Sequence, residues 1–208
     1  IAAEALGLMK CQAALDMGLA RLTADWSMAL LKARPRSQWA AMQTMRSGGD
    51  AKAVLDVLEP KDCMMAHAAR GAVLQDDEKY AEAAAAYERA AAADPDDSMM
   101  AFRQAMALEM AGKLPEAAAL YKKLWETHKT APAANNAAYL LVRLHPNDRA
   151  KLAEAEKLAS AALEATPQNA AYRDTLGWIQ YLRGDDKASL ETLRDAIRRL
   201  PNSPEVHY

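Results

Sequence analysis

The chain has 208 residues, 51% of them hydrophobic and 26% charged, with a formal net charge of −2. That length suffices to bury a sizeable core in one elongated domain or two small ones. A charge so near zero excludes the basic excess that nucleic acid or a polybasic membrane-surface role requires.

Nearly a quarter of the residues are Ala, Met is plentiful at 11, and there is a single Phe. Val and Ile are few, so the β-branched and aromatic supply that strands prefer is missing. Ala, Leu, Met, Glu, Lys and Arg are strong helix formers, and the chain is expected to be all-α. No stretch approaches the roughly 18 apolar residues of a membrane helix, so no direct membrane insertion is expected. Ile1-Ala2-Ala3-Glu4 lacks an initiator Met, a basic segment and an apolar core. The chain therefore reads as a fragment of a longer protein, with any signal peptide lying outside it. Localisation stays open between cytoplasm and periplasm.

In residues 1–63, Ala2–Asp16 and Leu19–Ala33 read as a helical pair turning near Gly18, with one long helix as the alternative. Trp39 to Met45, then Ser47-Gly48-Gly49-Asp50, Ala53 and Val57, read as a degenerate helix pair whose second member stops at Pro60. From residue 64 a regular spacing takes over. Tyr80, Ala83, Tyr87, Ala90 and Pro95 lie at offsets 0, 3, 7, 10 and 15. The offsets recur at Leu152, Ala155, Ala159, Ala162 and Pro167, and at Asp186, Ser189, Leu193, Ala196 and Pro201. Leu114, Ala117, Tyr121 and Leu124 match the first four, with Lys129 in place of the proline.

Steps of three and four keep these residues on one helical face. The small residue at offset 3 suits a close helix–helix contact, where a larger one would push the axes beyond about 8–10 Å. A second helix is expected ahead of each, carrying Gly71, Ala105, Ala138 or Gly177 at the matching place. Short turns join the two, as in Ala111-Gly112-Lys113 and Arg183-Gly184-Asp185. The units are expected at 64–97, 98–131, 132–169 and 170–203, with 204–208 opening another. The third carries about five extra residues, His145-Pro146-Asn147-Asp148-Arg149, expected to lengthen its inner turn and its second helix.

These units resemble tetratricopeptide repeats. The match is best in Thr175-Leu176-Gly177-Trp178 through Gly184, Ser189, Leu193, Ala196 and Pro201, while Asp186 stands where the family prefers an aromatic. The resemblance implies an α-solenoid of stacked antiparallel helix pairs in a right-handed superhelix. First helices line its concave side, and the groove holds a protein or peptide partner. One helix pair cannot bury its apolar face alone, whereas stacked pairs share a core.

Carried over residue by residue, the groove positions are Met65, Ala68, Ala72, Gln75 and Asp76; then Met99, Phe102, Met106, Glu109 and Met110; then Pro132, Asn135, Tyr139, Val142 and Arg143; then Ala171, Asp174, Trp178, Tyr181 and Leu182. The adjoining position adds Arg103 and Asn136. The candidate peptide-binding set is Met99, Phe102, Arg103, Met106, Asn135, Asn136, Tyr139, Arg143, Asp174, Trp178 and Tyr181. Phe102, Tyr139 and Arg143 are the favoured contacts, and Trp178 reads equally as a residue stacking between first helices. Met adapts to varied apolar partners, Tyr and Trp add a polar edge, and Asn135 or Asn136 suits a ligand backbone.

The Lys and Asn clamp that some family members use for a terminal carboxylate is missing, since the relevant pairs are Ala68/Ala72, Phe102/Met106, Asn135/Tyr139 and Asp174/Trp178. The phrases around Asn135, Asp174 and Pro204 are similar to bacterial tetratricopeptide proteins of envelope assembly, polysaccharide export and protein sorting. A self-assembling homo-oligomer is the competing expectation.

No catalytic signature is present: no Gly-rich phosphate loop, no H-E-x-x-H and no G-x-S-x-G. The chain is expected to be no enzyme and to need no cofactor. Cys63 and His67 are four apart, but two ligands leave a tetrahedral site half empty. Cys11 and Cys63 make no disulfide framework, and whether they are oxidised stays open. Asp76-Asp77 and Asp96-Asp97 are expected at turns and helix starts, where capping and the helix dipole account for them rather than catalysis.

Overall fold

The computed structural model describes residues 64–96 and 98–199. The helices expected in residues 1–63, the thiols Cys11 and Cys63, and the final unit from 204 lie outside the described residues. Within them are eight α-helices: α1 (Met64–Asp76), α2 (Tyr80–Ala93), α3 (Ser98–Met110), α4 (Leu114–His128), α5 (Ala131–Leu144), α6 (Arg149–Ala165), α7 (Ala170–Arg183) and α8 (Asp186–Arg199). No strand occurs among the described residues. The chain divides into two compact units, 1–107 and 108–208, with the boundary near the C-terminal end of α3.

In the first unit α1 packs against α2. The contact is made of small residues, with Ala68, Ala69, Ala72 and Val73 of α1 and Ala83, Ala84, Ala86, Tyr87 and Ala90 of α2 all buried. Gly71 lets the Tyr87 ring lie on the α1 backbone, since a Cβ there would sit 2.7 Å from two ring carbons. The Tyr87 hydroxyl donates to Gln75 Oε1 at 3.4 Å. The turn between the helices closes with the Lys79 amide donating to the Leu74 carbonyl at 2.8 Å. That closure puts a left-handed residue after the helix, here Glu78 at φ 59°.

The same closure recurs in the second unit, from Lys113 to Leu108 and from Asp185 to Gln180, each at 2.9 Å. There the left-handed positions are Gly112 and Gly184, at φ 76° and 85°, residues that carry no Cβ penalty. Across the third pair, residues 145–148 form the turn and α6 extends to 17 residues.

Within the second unit α4 packs on α5, α5 on α6, α6 on α7 and α7 on α8, and α5 also meets α7. Buried offset positions line the seams: Ala117, Tyr121 and Leu124 of α4, Leu152, Ala155, Ala159 and Ala162 of α6, and Ser189 and Ala196 of α8. Ser189 occupies the place held elsewhere by Ala, and its hydroxyl donates to the Gly177 carbonyl at 2.8 Å. Ala131, Ala134, Ala162 and Tyr172 make a core cluster covered by Trp125 and Leu163.

Two helix starts carry side-chain caps. Asp148 accepts from the Ala150 and Lys151 amides, and Asn169 from those of Ala171 and Tyr172. Each satisfies amides that the first helical turn leaves unpaired.

Of the two acid pairs, Asp97 lies outside the described residues, and Asp76-Asp77 falls at a turn rather than at a helix start. Asp76 ends α1 and Asp77 begins the turn, next to the negative end of the α1 dipole rather than a helix start. Asp77 instead pairs with Lys79 at 3.6 Å, and Lys79, at the N-cap of α2, makes no side-chain cap.

Candidate functional site

The second unit presents two successive first helices, α5 and α7, which touch each other. Their outward residues follow helical spacing. Pro132, Tyr139 and Arg143 are exposed on α5, and Ala171 and Tyr181 on α7, with Asp174, Trp178 and Leu182 half-buried between them. Spacings of three, four and seven put each set on one side of its helix.

The centre of this face is aromatic. The rings of Tyr139 and Trp178 lie 5.8 Å apart between centroids at 45°, within the range of favourable tilted aromatic pairs. The Arg143 guanidinium carbon sits 5.5 Å from the Tyr139 centroid, a cation–π placement. Trp178 therefore does stack between first helices. Tyr139 keeps 37% of its surface exposed and Tyr181, one turn beyond Trp178, keeps 61%. A face of this kind can bury apolar side chains while offering hydroxyl, indole and guanidinium donors.

The two asparagines have separate fates. Asn136 hydrogen-bonds the hydroxyl of Tyr121 from α4, and Tyr121 donates in turn to Glu109 Oε2 at 3.3 Å. Burial holds the Tyr121 phenol well above its usual range, and Glu109 adds to that against the opposing pull of Asn136. Asn136 thus braces α5 against α4. Asn135 retains only 9% exposure, and its Oδ1 is buried without a hydrogen-bond partner. Such an atom is uncommon in a folded interior.

In the first unit, Met99 and Met106 are exposed on α3, with Phe102 and Arg103 half-buried between them. All four lie on one side of α3 by their spacing. Ala68, Ala72 and Val142, carried over as groove positions, are buried in the cores instead. In α5 the reason is rotation: Val142 lies roughly 60° round the helix from Tyr139, at 100° per residue. That turn aims it at the packed interior.

Sequence reasoning missed the Tyr121–Asn136–Glu109 chain, although its signal was present. Tyr87 and Gln75 stand 34 residues before Tyr121 and Glu109, and both pairs share a spacing of 12. Among the described residues no group of His, Cys, Asp and Glu is arranged to hold a metal ion, and no helix is long and apolar enough to cross a membrane.

Helix pairs with small residues at their seams, three of the four closed by a left-handed turn, define an α-solenoid repeat protein. The tetratricopeptide repeat family model matches residues 68–132 and 148–204, more than half of the chain. The chain belongs to the tetratricopeptide repeat family, whose arrays are protein–protein interaction scaffolds.

Among solved structures, MamA of AMB-1 is similar at a TM-score of 0.63 and 14% identity, over 80% of this chain and 92% of that one. YrrB, described as a tetratricopeptide protein with an unusual peptide-binding site, matches at 0.59 and 16%, over 92% and 93%. TTC0263 of Thermus thermophilus, a thermophilic tetratricopeptide protein, matches at 0.56 and 21%, over 69% and 77%. At these identities the likeness shows the fold. No curated protein matches the sequence.

Proposed function

We propose that this chain is a non-catalytic scaffold that captures a protein or peptide partner on the exposed faces of its first helices. The observation that carries this reading is the accessible aromatic pair Tyr139 and Trp178, shared by two successive first helices and extended by Arg143 and Tyr181. Tyr, Trp and Arg dominate the energetics of protein interfaces, and here they gather on the face the fold leaves open. The partly accessible Met99, Phe102 and Met106 of α3, with Arg103 beside them, supply a second, largely apolar set. The peptide-binding site named for YrrB supports peptide capture by a chain of this fold. The phrases around Asn135, Asp174 and Pro204 support a setting in bacterial envelope assembly, polysaccharide export or protein sorting.

The test is a peptide-array screen comparing the protein with a Tyr139→Ala/Trp178→Ala variant and a Phe102→Ala/Tyr139→Ala variant. Partners of the face bind each variant at least tenfold more weakly, and a residue supplying about 1.4 kcal/mol accounts for that change. Partners that bind all three forms equally would refute the assignment. Light scattering over a concentration series separates this reading from self-assembly, which predicts a mass that grows with concentration.

A further inference from the structure

The half of the face built on α5 has a chemical preference, and this inference rests on the binding role proposed above. Arg143 is exposed near the end of α5, and its guanidinium lies over the Tyr139 ring, which leans on Trp178. Stacking restrains the side chain and leaves the edge of the planar fork free to donate. Two other arginines of this unit are used internally, Arg173 by Asp195 at 2.7 Å and Arg183 by Glu156. Among the described residues no carboxylate lies within ion-pairing distance of Arg143. A guanidinium prefers a carboxylate, which it grips with two parallel hydrogen bonds.

We propose that Arg143, Tyr139 and Trp178 form a subsite for an acidic peptide segment, the Arg143 fork holding an Asp or Glu carboxylate while a neighbouring apolar side chain lies on the two rings. The carboxylate comes from a side chain inside the peptide. A chain terminus offers the same chemistry and is the alternative source the experiment separates. The aromatic floor excludes water from one side of the ion pair, so it is screened less than a fully solvated one.

The experiment uses the full chain and an array of peptides blocked at both ends. Each peptide carries Asp beside Phe, Leu or Ile, and each is matched by its Asn isostere. A third set has a free C-terminus and no acidic side chain. Hits are titrated by calorimetry against the protein and against Arg143→Gln, Arg143→Lys and Tyr139→Ala. The exposed position of Arg143 lets circular dichroism verify that the Arg143 variants fold.

The expected result is a preference of about tenfold for Asp over Asn in the native chain. It falls to nearly one in Arg143→Gln and is intermediate in Arg143→Lys, which keeps the charge without the fork. Higher salt reduces the preference. An Asp-to-Asn ratio equal in the native chain and Arg143→Gln overturns the subsite, as does failure of every acidic peptide to bind at millimolar concentration. Preference for the free-terminus set over the blocked Asp set overturns the side-chain source. If Tyr139→Ala weakens both members of each pair while Arg143→Gln leaves their ratio intact, the face binds peptides and only the carboxylate subsite falls. If neither variant alters any binding, the face itself is misassigned.

Discussion

Replacing Gly71 with Ala sets two effects of opposite sign against each other. Alanine in a helix interior is favoured over glycine by about 1 kcal/mol. Against that, the new Cβ would sit 2.7, 2.7 and 2.9 Å from three carbons of the Tyr87 ring, where ordinary carbon contacts begin at about 3.5 Å. The ring must retreat by most of an ångström, yet Tyr87 is fully buried and its hydroxyl is tied to Gln75. Overpacking of this kind costs about 1–3 kcal/mol. The sum is a net loss of about 1 kcal/mol, or a fall of about 2–4 °C in melting temperature for a chain of this size.

Urea titration followed by circular dichroism measures the change, with a double-mutant cycle against Tyr87→Leu to isolate the contact. In the Tyr87→Leu background the alanine should cost less or become stabilising. Gly177→Ala is a second comparison. Its Cβ meets Leu193 at 2.6 and 2.7 Å, but Leu193 is only half-buried and can rotate away, so that loss should be smaller. Gain of stability by Gly71→Ala in the native background, with no coupling to Tyr87, would refute the packing argument.

Ser189→Ala removes the buried hydroxyl bonded to the Gly177 carbonyl while keeping the small size found at Ala83, Ala117 and Ala155, so chemical denaturation should show a loss of about 1 kcal/mol. Glu78→Gly relieves a left-handed residue at φ 59°. That strain costs about 1–2 kcal/mol and exceeds the added unfolded-state entropy of glycine, so a thermal melt should show a gain of about 0.5 kcal/mol. The Glu154 carboxyl is held below its usual range, first by its hydrogen bond from Lys122 and then by Lys151. Its folded-state pKa being depressed, its contribution is present above the unfolded value and lost as pH falls through the folded one. Glu154→Gln should therefore cost up to about 1 kcal/mol at neutral pH, and the difference should vanish in acid, read by urea titrations across pH.

The fold was legible because its causes are local and repeated. Ala83, Ala117, Ala155 and Ser189 are all buried as their common offset requires, and Gly112 and Gly184 adopt the left-handed turns that glycine permits. The helix ends were harder to read. Capping depends on which residue precedes the first turn, and side-chain caps fall to Asp148 and Asn169, while Asp76-Asp77 lies at the end of α1 and in the turn after it. Tyr139, Arg143, Trp178 and Tyr181 came from the resemblance to the family, which implies groove positions on first helices, and all four reach the surface at least in part. The face was not legible in depth. A few tens of degrees of rotation decide whether a side chain meets solvent or the neighbouring helix, and a position number does not contain that angle. Val142 and Asn135 went inward for that reason, and Asn136 was drawn to a tyrosine 15 residues earlier in the chain.

Among the described residues the longest helix is α6, and two of its three acids take partners on different flanks. Glu154 takes Lys122 from the pair before, and Glu156 takes Arg183 from the pair after. Where each repeat is coupled only to its neighbours, such a helix is keyed to both of them. Exchanging or duplicating the third pair would break one of these part-exposed ion pairs, at a cost of up to about 1 kcal/mol each. Its place in the order is therefore written into its charges, and any rebuilt array should retain residues 114–183 as one block.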